Sequence, residues 1–210
     1  MKFSRMLNVV LIVVLLILGV NMFSKNDSAD QSLPDHPASS VSEVIHRRSS
    51  VRDYTTQKVS KETLEKLVRA GMAAPSAMNK QPWSFIIVDE REILDAFAEQ
   101  LPTSAMAKKA AAAILVCGDL EKAGEGWLQQ YWIQDCSAAS QNILLAITES
   151  GLGGVWTSVY PAEDRMEKVA QILNLPEHIV PLNIIPLGYP SQPDQPKNKW
   201  KPENVRWNKW

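Results

Sequence analysis

The sequence has few of the residues that usually carry catalysis or bind metal ions. It contains two cysteines and three histidines among 210 residues. His36, His46 and His178 are not at metal-ligand spacing, and there is no H-E-x-x-H or C-x-x-C motif. A G-x-S-x-G motif is also missing, so nothing supports a serine hydrolase. We therefore expect no metal site, and any chemistry would depend on a bound organic cofactor.

The chain also lacks an excess of charge of one sign. Lys and Arg number 22 against 23 Asp and Glu, which gives a net charge of -1, and no long block of like charges occurs. Nucleic-acid binders normally carry a clustered basic excess, so we expect no nucleic-acid partner. With 45% hydrophobic residues, the chain can form one well-packed domain.

The first 39 residues differ from the rest of the chain. Two basic residues precede an almost purely aliphatic run over residues 7–23, which is intermediate between a secretory signal and a minimal membrane span. We interpret residues 1–23 as a signal-anchor or signal peptide, and favour an uncleaved anchor because no A-x-A site follows. Residues 24–39 are polar and predict a flexible linker. The positive-inside tendency then predicts a membrane-anchored domain outside the cytoplasm, or an exported one.

From residue 40 onward the hydrophobic patterns predict one folded domain, residues 40–210. Residues 40–43 form a capping box and Ser60 is a second N-cap, so a helix is expected to begin at each. Helices are predicted near residues 41–47, 60–72, 90–100, 125–150 and 162–173, and strands near 83–88, 111–117, 155–157 and 180–187. This irregular alternation is typical of an α+β sandwich.

The same patterns assign side chains to the interior. Cys117 ends a buried strand and Cys136 lies in a helix, which indicates buried free thiols, although the spacing leaves a disulfide open. Gly151 is placed to end the long helix, with Leu152 packing back on it. One face of the second helix should be buried, namely Leu64, Leu67, Val68 and Met72.

Residues 151–154 are glycine-rich, with the sequence Gly-Leu-Gly-Gly. They follow a helix, whereas glycine-rich phosphate loops follow a strand and open a helix. A phosphate cradle is therefore disfavoured. A plain helix C-cap and a turn that lets the backbone approach a ligand closely both remain open.

Two other segments have the composition of a ligand site. Residues 47–52 contain three arginines and two serines, and Arg is the residue best suited to bidentate phosphate recognition. Residues 74–83 form a proline-bounded loop of small and amide side chains, which suits a flat heterocycle with hydrogen-bonding edges. A second basic cluster follows at Lys197, Lys199 and Lys201. One such cluster alone would be a solvated surface, but two on a neutral domain favour a dianionic ligand, and the combination indicates FMN.

These segments resemble motifs of the nitroreductase family and occur in the family's order. Residues 48–54 resemble its opening R-x-S-x-R-x-[FY], and residues 75–83 are similar to its P-S-x-x-N-x-Q-P-W loop. Residues 151–157 resemble G-L-G-x-x-W. Residues 188–190 and 197–200 resemble the closing G-Y-P and K-x-R-[YFW]. The resemblance covers about residues 41–210.

The resemblance implies a nitroreductase-like α/β sandwich, an α+β fold with a central, mostly antiparallel sheet flanked by helices. It also implies a homodimer with an extended C-terminal arm and FMN at the subunit interface. The residues implied to hold the phosphate, ribityl chain and pyrimidine edge are Arg48, Ser49, Ser50 and Arg52, with Lys197 and Lys199 completing the phosphate site. Those implied to contact the flavin from the partner subunit are Pro75, Ser76 and Asn79. Those implied to run along the flavin ring are Trp156, Thr157 and Ser158.

The chain departs from the family pattern at two of these positions. Lys199 stands where the family more often has Arg, and a point charge in place of a planar fork predicts a lower affinity for phosphate. Ser158 and Val159 stand where many members have a small, glycine-containing pair. This second departure leaves the face that meets the substrate open.

The function implied is that of an FMN-dependent oxidoreductase. Electrons would pass by a ping-pong mechanism from NAD(P)H or another donor to a small organic acceptor such as a nitroaromatic or quinone. The flavin would carry the chemistry, so no side chain is assigned as catalytic. The alternatives are a membrane-tethered flavin-binding module without turnover and a reductive dehalogenase-like branch of the family. Residues 99–127, a candidate lid, carry no motif that decides between them.

Overall fold

The computed structural model of the chain describes residues 40–193 and 196–210. The predicted signal-anchor or signal segment, residues 1–23, and the predicted linker, residues 24–39, lie outside the described residues. Among the helices of the described part, none combines the length and the apolar content that crossing a bilayer requires.

Within this part of the chain, five α-helices and five β-strands follow one another irregularly. The helices are α1 (Val41–Arg47), α2 (Lys61–Met72), α3 (Arg91–Gln100), α4 (Trp132–Glu149) and α5 (Glu163–Leu173). The strands are β1 (Trp83–Val88), β2 (Ala112–Asp119), β3 (Gly153–Gly154), β4 (Thr157–Ser158) and β5 (Ile179–Gly188). Short 3-10 segments span Ala77–Asn79, Pro102–Lys109, Gly126–Tyr131 and Pro202–Asn204.

The two predicted N-caps are confirmed. The Ser40 hydroxyl accepts a hydrogen bond from the Glu43 amide at 3.2 Å, and the Ser60 hydroxyl accepts one from the Thr63 amide at 3.2 Å. Each bond satisfies an amide that the first turn of a helix otherwise leaves without a partner. These two caps therefore fix where α1 and α2 begin.

The predicted buried face of α2 is confirmed for three of its four residues. Leu64, Leu67 and Val68 are buried, but Met72 is 52% exposed. The core contact in this last turn is made on the Gly71 backbone, where an added Cβ would lie 2.9 Å from the Ile143 side chain. The prediction for Met72 is therefore wrong, because the α4 side chain packs against a glycine instead.

The long helix predicted from about residue 125 begins later than expected. Gly126 has a left-handed φ of 60°, residues Gly126–Tyr131 form a 3-10 segment, and α4 starts at Trp132. Its end is as predicted. Gly151 has a φ of 69°, and the Leu152 amide donates to the Ile147 carbonyl at 2.9 Å in a Schellman motif. Leu152 is buried behind this cap.

The strand predicted at residues 155–157 is instead two short strands, β3 and β4, with Val155 and Trp156 between them. Both pair with β5, through Gly154 opposite Leu187 and Thr157 opposite Ile184. The Val155 amide donates to the Pro186 carbonyl at 3.3 Å, but proline has no N–H to donate in return. The ladder is interrupted there for that reason.

The strands form one antiparallel sheet in the order β1-β2-β5-β3, and β4 also pairs with β5. Alternate side chains of β2 point to opposite faces, as the twofold period of a strand requires. Ile114 and Val116 pack with residues of α2 and α4, whereas Ala113 and Leu115 pack with residues of α3 and α5. Helices therefore cover both faces, which confirms the predicted α+β sandwich.

The two cysteines are buried free thiols, as the first interpretation held. The Cys136 sulfur lies 3.5 Å from the Cys117 carbonyl oxygen. Burial raises the pKa of the Cys117 thiol to about 12 and raises the pKa of Cys136 above its ordinary value. Both side chains stay protonated and unreactive at neutral pH.

Candidate cofactor site

The basic segment at residues 48–54 lies along the edge of the sheet and is bonded to it at both ends. The Val51 amide donates to the Gly154 carbonyl at 3.1 Å, and the Thr55 amide donates to the Tyr189 carbonyl at 2.8 Å. Between them, the buried Tyr54 hydroxyl lies 2.7 Å from the Val51 carbonyl oxygen and 2.9 Å from that of Pro186. Burial raises the pKa of Tyr54 well above its ordinary value, so this hydroxyl keeps the proton it donates.

Two glycines of the 151–154 segment serve the fold. Gly151 caps α4, and an added Cβ at Gly153 would lie 2.6 Å from both Cβ and Cγ1 of Val51. A side chain at Gly153 would therefore push the basic segment away from the sheet. The group that approaches the glycine backbone closely is therefore Val51 of the same chain.

A cavity of about 480 Å³ opens beside the basic segment. It brings together six of the predicted phosphate-site residues, which are Arg48, Ser49, Ser50, Arg52, Lys197 and Lys199. The rest of its lining is Val51, Asp53, Ser191, Gln192 and Pro193. Two basic clusters about 150 residues apart in the sequence thus face one space.

The adjacent arginines Arg47 and Arg48 have different environments. The Arg47 guanidinium donates to the Thr148 carbonyl at 3.0 Å, so it caps the C-terminal end of α4, where a cation is favourable. Arg48, the C-cap residue of α1, lines the cavity instead. Within the described residues, its guanidinium has no hydrogen-bond or ion-pair partner, and neither have the ammonium groups of Lys197 and Lys199.

The one carboxylate among the described cavity residues, Asp53, is already paired. Lys109 Nζ lies 2.8 Å from one of its oxygens, and the Ser191 hydroxyl donates to the other at 2.6 Å. The hydrogen bond from Lys109, followed by that from Ser191, lowers the pKa of Asp53 below its ordinary value. Because its charge is matched by Lys109, the described lining of the cavity carries a net positive charge, which favours an anion.

Asp53, Lys109 and Ser191 were missed by the sequence analysis. Ser191 is brought to the site by a contact between distant segments of the chain. Tyr54 forms an isolated β-bridge with Pro190, and the Ser191 amide donates to the Asp53 carbonyl at 3.1 Å. This register places Ser191 opposite Asp53. Nothing in the local sequence around either residue indicates that pairing.

The second predicted segment, the loop at residues 75–83, has a strained backbone. Met78, Asn79 and Gln81 have φ values of 52°, 54° and 49°, in the left-handed region that residues other than glycine seldom adopt. The Gln81 amide donates to the Ser76 hydroxyl at 2.9 Å, and the Gln81 side chain donates to Asn79 Oδ1 at 3.0 Å. Pro75, Ser76 and Asn79 do not line the cavity, so their role toward a partner subunit's flavin stays a prediction.

The third predicted group, Trp156, Thr157 and Ser158, also lies outside the lining of the cavity. The Thr157 hydroxyl is buried, donates to the Ile184 carbonyl at 2.8 Å and accepts from the Ser104 hydroxyl at 2.9 Å. It is fully used within the fold, so a contact from Thr157 to a ligand would come from its backbone. The Trp156 indole donates to the Ser158 hydroxyl at 3.1 Å. The roles of these residues toward a flavin remain predictions.

This fold and this cavity define a class of protein, an α+β sandwich with a basic cavity at the edge of its sheet. Comparison with known families then identifies the family, because the model of the Nitroreductase family matches residues 45–189. The chain belongs to the nitroreductase family.

Known proteins similar to this chain support the assignment. A solved structure of an NADH dehydrogenase/NAD(P)H nitroreductase from Parabacteroides distasonis is 50% identical, with a TM-score of 0.78, and the match covers 82% of this chain and 99% of that one. A relative from Methanothermobacter thermautotrophicus, whose name combines NADH dehydrogenase and NAD(P)H nitroreductase, is 44% identical over 81% of this chain and 87% of that protein. A nitroreductase from Desulfovibrio desulfuricans in complex with FMN is 26% identical, with a TM-score of 0.69 and coverage of 82% and 98%.

Members of this family depend on FMN, and the chain is an FMN-dependent oxidoreductase. The cavity fits the phosphate end of that cofactor on its own chemistry. Its cations Arg48, Lys197 and Lys199, which have no partner among the described residues, and its serine side chains are the donors that a phosphate dianion needs.

Replacing Arg47 and Arg48 by alanine, one at a time, should separate an effect on cofactor affinity from an effect on the stability of the fold. Arg48→Ala should weaken FMN binding by about 2 kcal/mol, roughly thirtyfold in Kd, because it removes a charge-assisted contact to the phosphate. Arg47→Ala, the matched control, should leave FMN affinity unchanged and lower the free energy of unfolding, because it removes a helix cap. Fluorescence titration of the apoprotein with FMN and urea unfolding measure the two quantities.

Lys199→Arg in the same series should keep or raise the affinity for FMN, because a planar fork replaces a point charge. Equal FMN affinity for the Arg48→Ala variant and the parent would show that the phosphate is held elsewhere.

Proposed function

We propose that this protein transfers electrons by a ping-pong mechanism from NAD(P)H or another donor to a small organic acceptor such as a nitroaromatic or quinone. The observation that carries the proposal is the basic cavity, whose cations Arg48, Lys197 and Lys199 have no partner within the part of the chain that the structure describes. FMN held there by these residues would supply two-electron redox chemistry, and one site would then serve the donor and the acceptor in turn.

In this proposal the side chains bind and orient, and they perform no proton chemistry of their own. The described lining of the cavity has one carboxylate, Asp53, which is held by Lys109 and Ser191. Arg48, Arg52 and the two lysines carry charge toward the phosphate and are not placed as acids or bases. The residues proposed to contact the flavin from the partner subunit are Pro75, Ser76 and Asn79. The residues proposed to lie along the ring are Trp156, Thr157 and Ser158.

Turnover separates this enzyme from a flavin-binding module without activity. The purified protein should be yellow with bound FMN, and a reductant such as NADH or NADPH should bleach the flavin absorption under anaerobic conditions. Adding a quinone or nitroaromatic should then restore the absorption within a turnover time. The alternative, a flavin-binding module without turnover, predicts a different result. Its bound FMN would bleach with dithionite, but it would not react with these donors or recover with these acceptors.

We also propose that the protein is a homodimer. Three tryptophans of the arm, Trp200, Trp207 and Trp210, are 70%, 86% and 100% exposed on the single chain. A groove of about 430 Å³ between α1, α2 and α4 is lined mostly by apolar residues, among them Val41, which is 76% exposed. Exposed apolar surface of this kind is typical of a protein interface, and a second copy would cover both areas.

Removal of the arm tests the dimer. A chain truncated after Pro190 should be a monomer or aggregate and should lose FMN, because it lacks Lys197, Lys199 and the aromatic surface. The triple substitution of Trp200, Trp207 and Trp210 by Ser, which keeps both lysines, should weaken the dimer while leaving the basic cluster in place. Multi-angle light scattering and FMN titration report the two effects. A stable monomer for the intact protein would end this proposal.

We further propose that the protein is membrane-anchored through residues 7–23 with its domain outside the cytoplasm, or is exported. The support is the sequence alone, since Lys2 and Arg5 precede the aliphatic run. Nicotinamide nucleotides are scarce outside the cytoplasm, so a membrane quinol or an electron-transfer protein would be the working reductant there. A reporter protein that works only outside the cytoplasm should be active when it is fused after Trp210. Activity of a cytoplasm-only reporter would instead make NAD(P)H the natural donor.

A further inference from the structure

The loop at residues 75–83 is held in a conformation that its own residues disfavour. Three of its residues, Met78, Asn79 and Gln81, have left-handed φ values, and none of them is a glycine. Met78 is in addition 74% exposed, so its strain is not offset by burial of its side chain. Such a backbone persists only where surrounding contacts hold it, and strain of this kind clusters at functional sites.

A buried carboxylate from α4 ties the start of the loop to the core. Asp135 Oδ1 accepts a hydrogen bond from the Ala77 amide at 2.9 Å, across 58 positions of sequence. Asp135 is 6% exposed and stands in the first turn of α4, where the helix dipole favours a negative charge. At the far end of the loop, the Pro82 carbonyl accepts from the Asp119 amide of β2 at 2.9 Å. The bonds from Gln81 to Ser76 and Asn79 are internal to the loop and do not fix its position.

Burial of a carboxylate is unfavourable unless hydrogen bonds compensate it. Asp135 is oriented toward the backbone immediately before the strained residues, and its charge strengthens the bond to Ala77. The next residue, Cys136, lies 3.6 Å from the Pro82 carbonyl, so the first turn of α4 contacts the loop near both of its ends.

We propose that Asp135 is a positioning residue for the flavin ring. Through Ala77 it holds the loop in the strained conformation that presents Ser76 and Asn79 to the cofactor. The inference rests on the proposed function, in which these two residues contact the flavin. It adds a residue that lies in no motif of the binding site and that acts on the ring end of the cofactor, separately from the basic cavity at the phosphate end.

Riboflavin, which lacks the phosphate, tests this separation. Asp135→Ala should weaken binding of FMN and of riboflavin by the same factor, about tenfold, as expected for one lost charge-assisted hydrogen bond. It should also shift the visible absorption of the bound flavin, because the groups at the ring edge move. Asp135→Asn, whose amide oxygen can still accept from Ala77, should stay within about threefold of the parent for both ligands.

Arg48→Ala is the contrasting variant, because loss of a cation at the phosphate end should weaken FMN binding by a clearly larger factor than riboflavin binding. All titrations are made below the unfolding temperature of each variant, which circular dichroism records. Asp135→Glu provides a second variant if the alanine variant does not fold. It keeps the charge but displaces the oxygen, and it should also weaken both flavins about equally.

Two results would overturn the inference while leaving the proposed function intact. The first is an Asp135→Ala or Asp135→Glu variant that binds riboflavin like the parent with an unshifted spectrum, even if its unfolding temperature falls. The second is an Asp135→Asn variant as impaired as the alanine variant. Failure of the parent to bind FMN would overturn the proposed function instead.

Discussion

The site depends on the contact between Val51 and Gly153. With no side chain at Gly153, the segment after α1 lies directly on the short strand β3, and the Val51 amide reaches the Gly154 carbonyl. Tyr54 closes the other end of that segment with its buried hydroxyl. The backbone of the segment is thus fixed on the sheet, and Arg52 and Asp53 line the cavity beside it. The position of the basic cavity is therefore set by packing of the chain against itself.

Charge in this region is divided between structure and binding. Arg47 and Lys109 are engaged by protein groups, the Thr148 carbonyl and the Asp53 carboxylate, whereas Arg48, Lys197 and Lys199 line the cavity without a described partner. The whole chain is nearly neutral, so its attraction for an anion comes from local arrangement. The exposed pair Asp53–Lys109 contributes little stability by itself, but it removes the negative charge that would oppose a phosphate.

The described chain presents two kinds of surface that a second copy would complete. The strained loop holds Asn79 and exposes Met78, and the arm exposes its tryptophans, while the cavity itself is formed within one chain. The proposed dimer, in which each subunit would supply the phosphate end and receive the ring contacts from its partner, would account for both. It would also couple dimer formation to cofactor binding.

Much of the fold could be predicted from the sequence. The caps at Ser40 and Ser60, the Schellman end at Gly151 and the buried strands follow from local chemistry. The two basic clusters, which the sequence predicted to hold one ligand, line one cavity. Local patterns failed where a distant residue decides the outcome: Pro186 splits β3 from β4, Gly71 replaces Met72 in the core, and Asp53 meets Lys109 and Ser191. Only the tertiary structure decided that Arg47 caps a helix while Arg48 lines the cavity. The reason is physical, because hydrogen-bond register and packing are set between segments far apart in sequence, and adjacent residues of the same type can then acquire different partners.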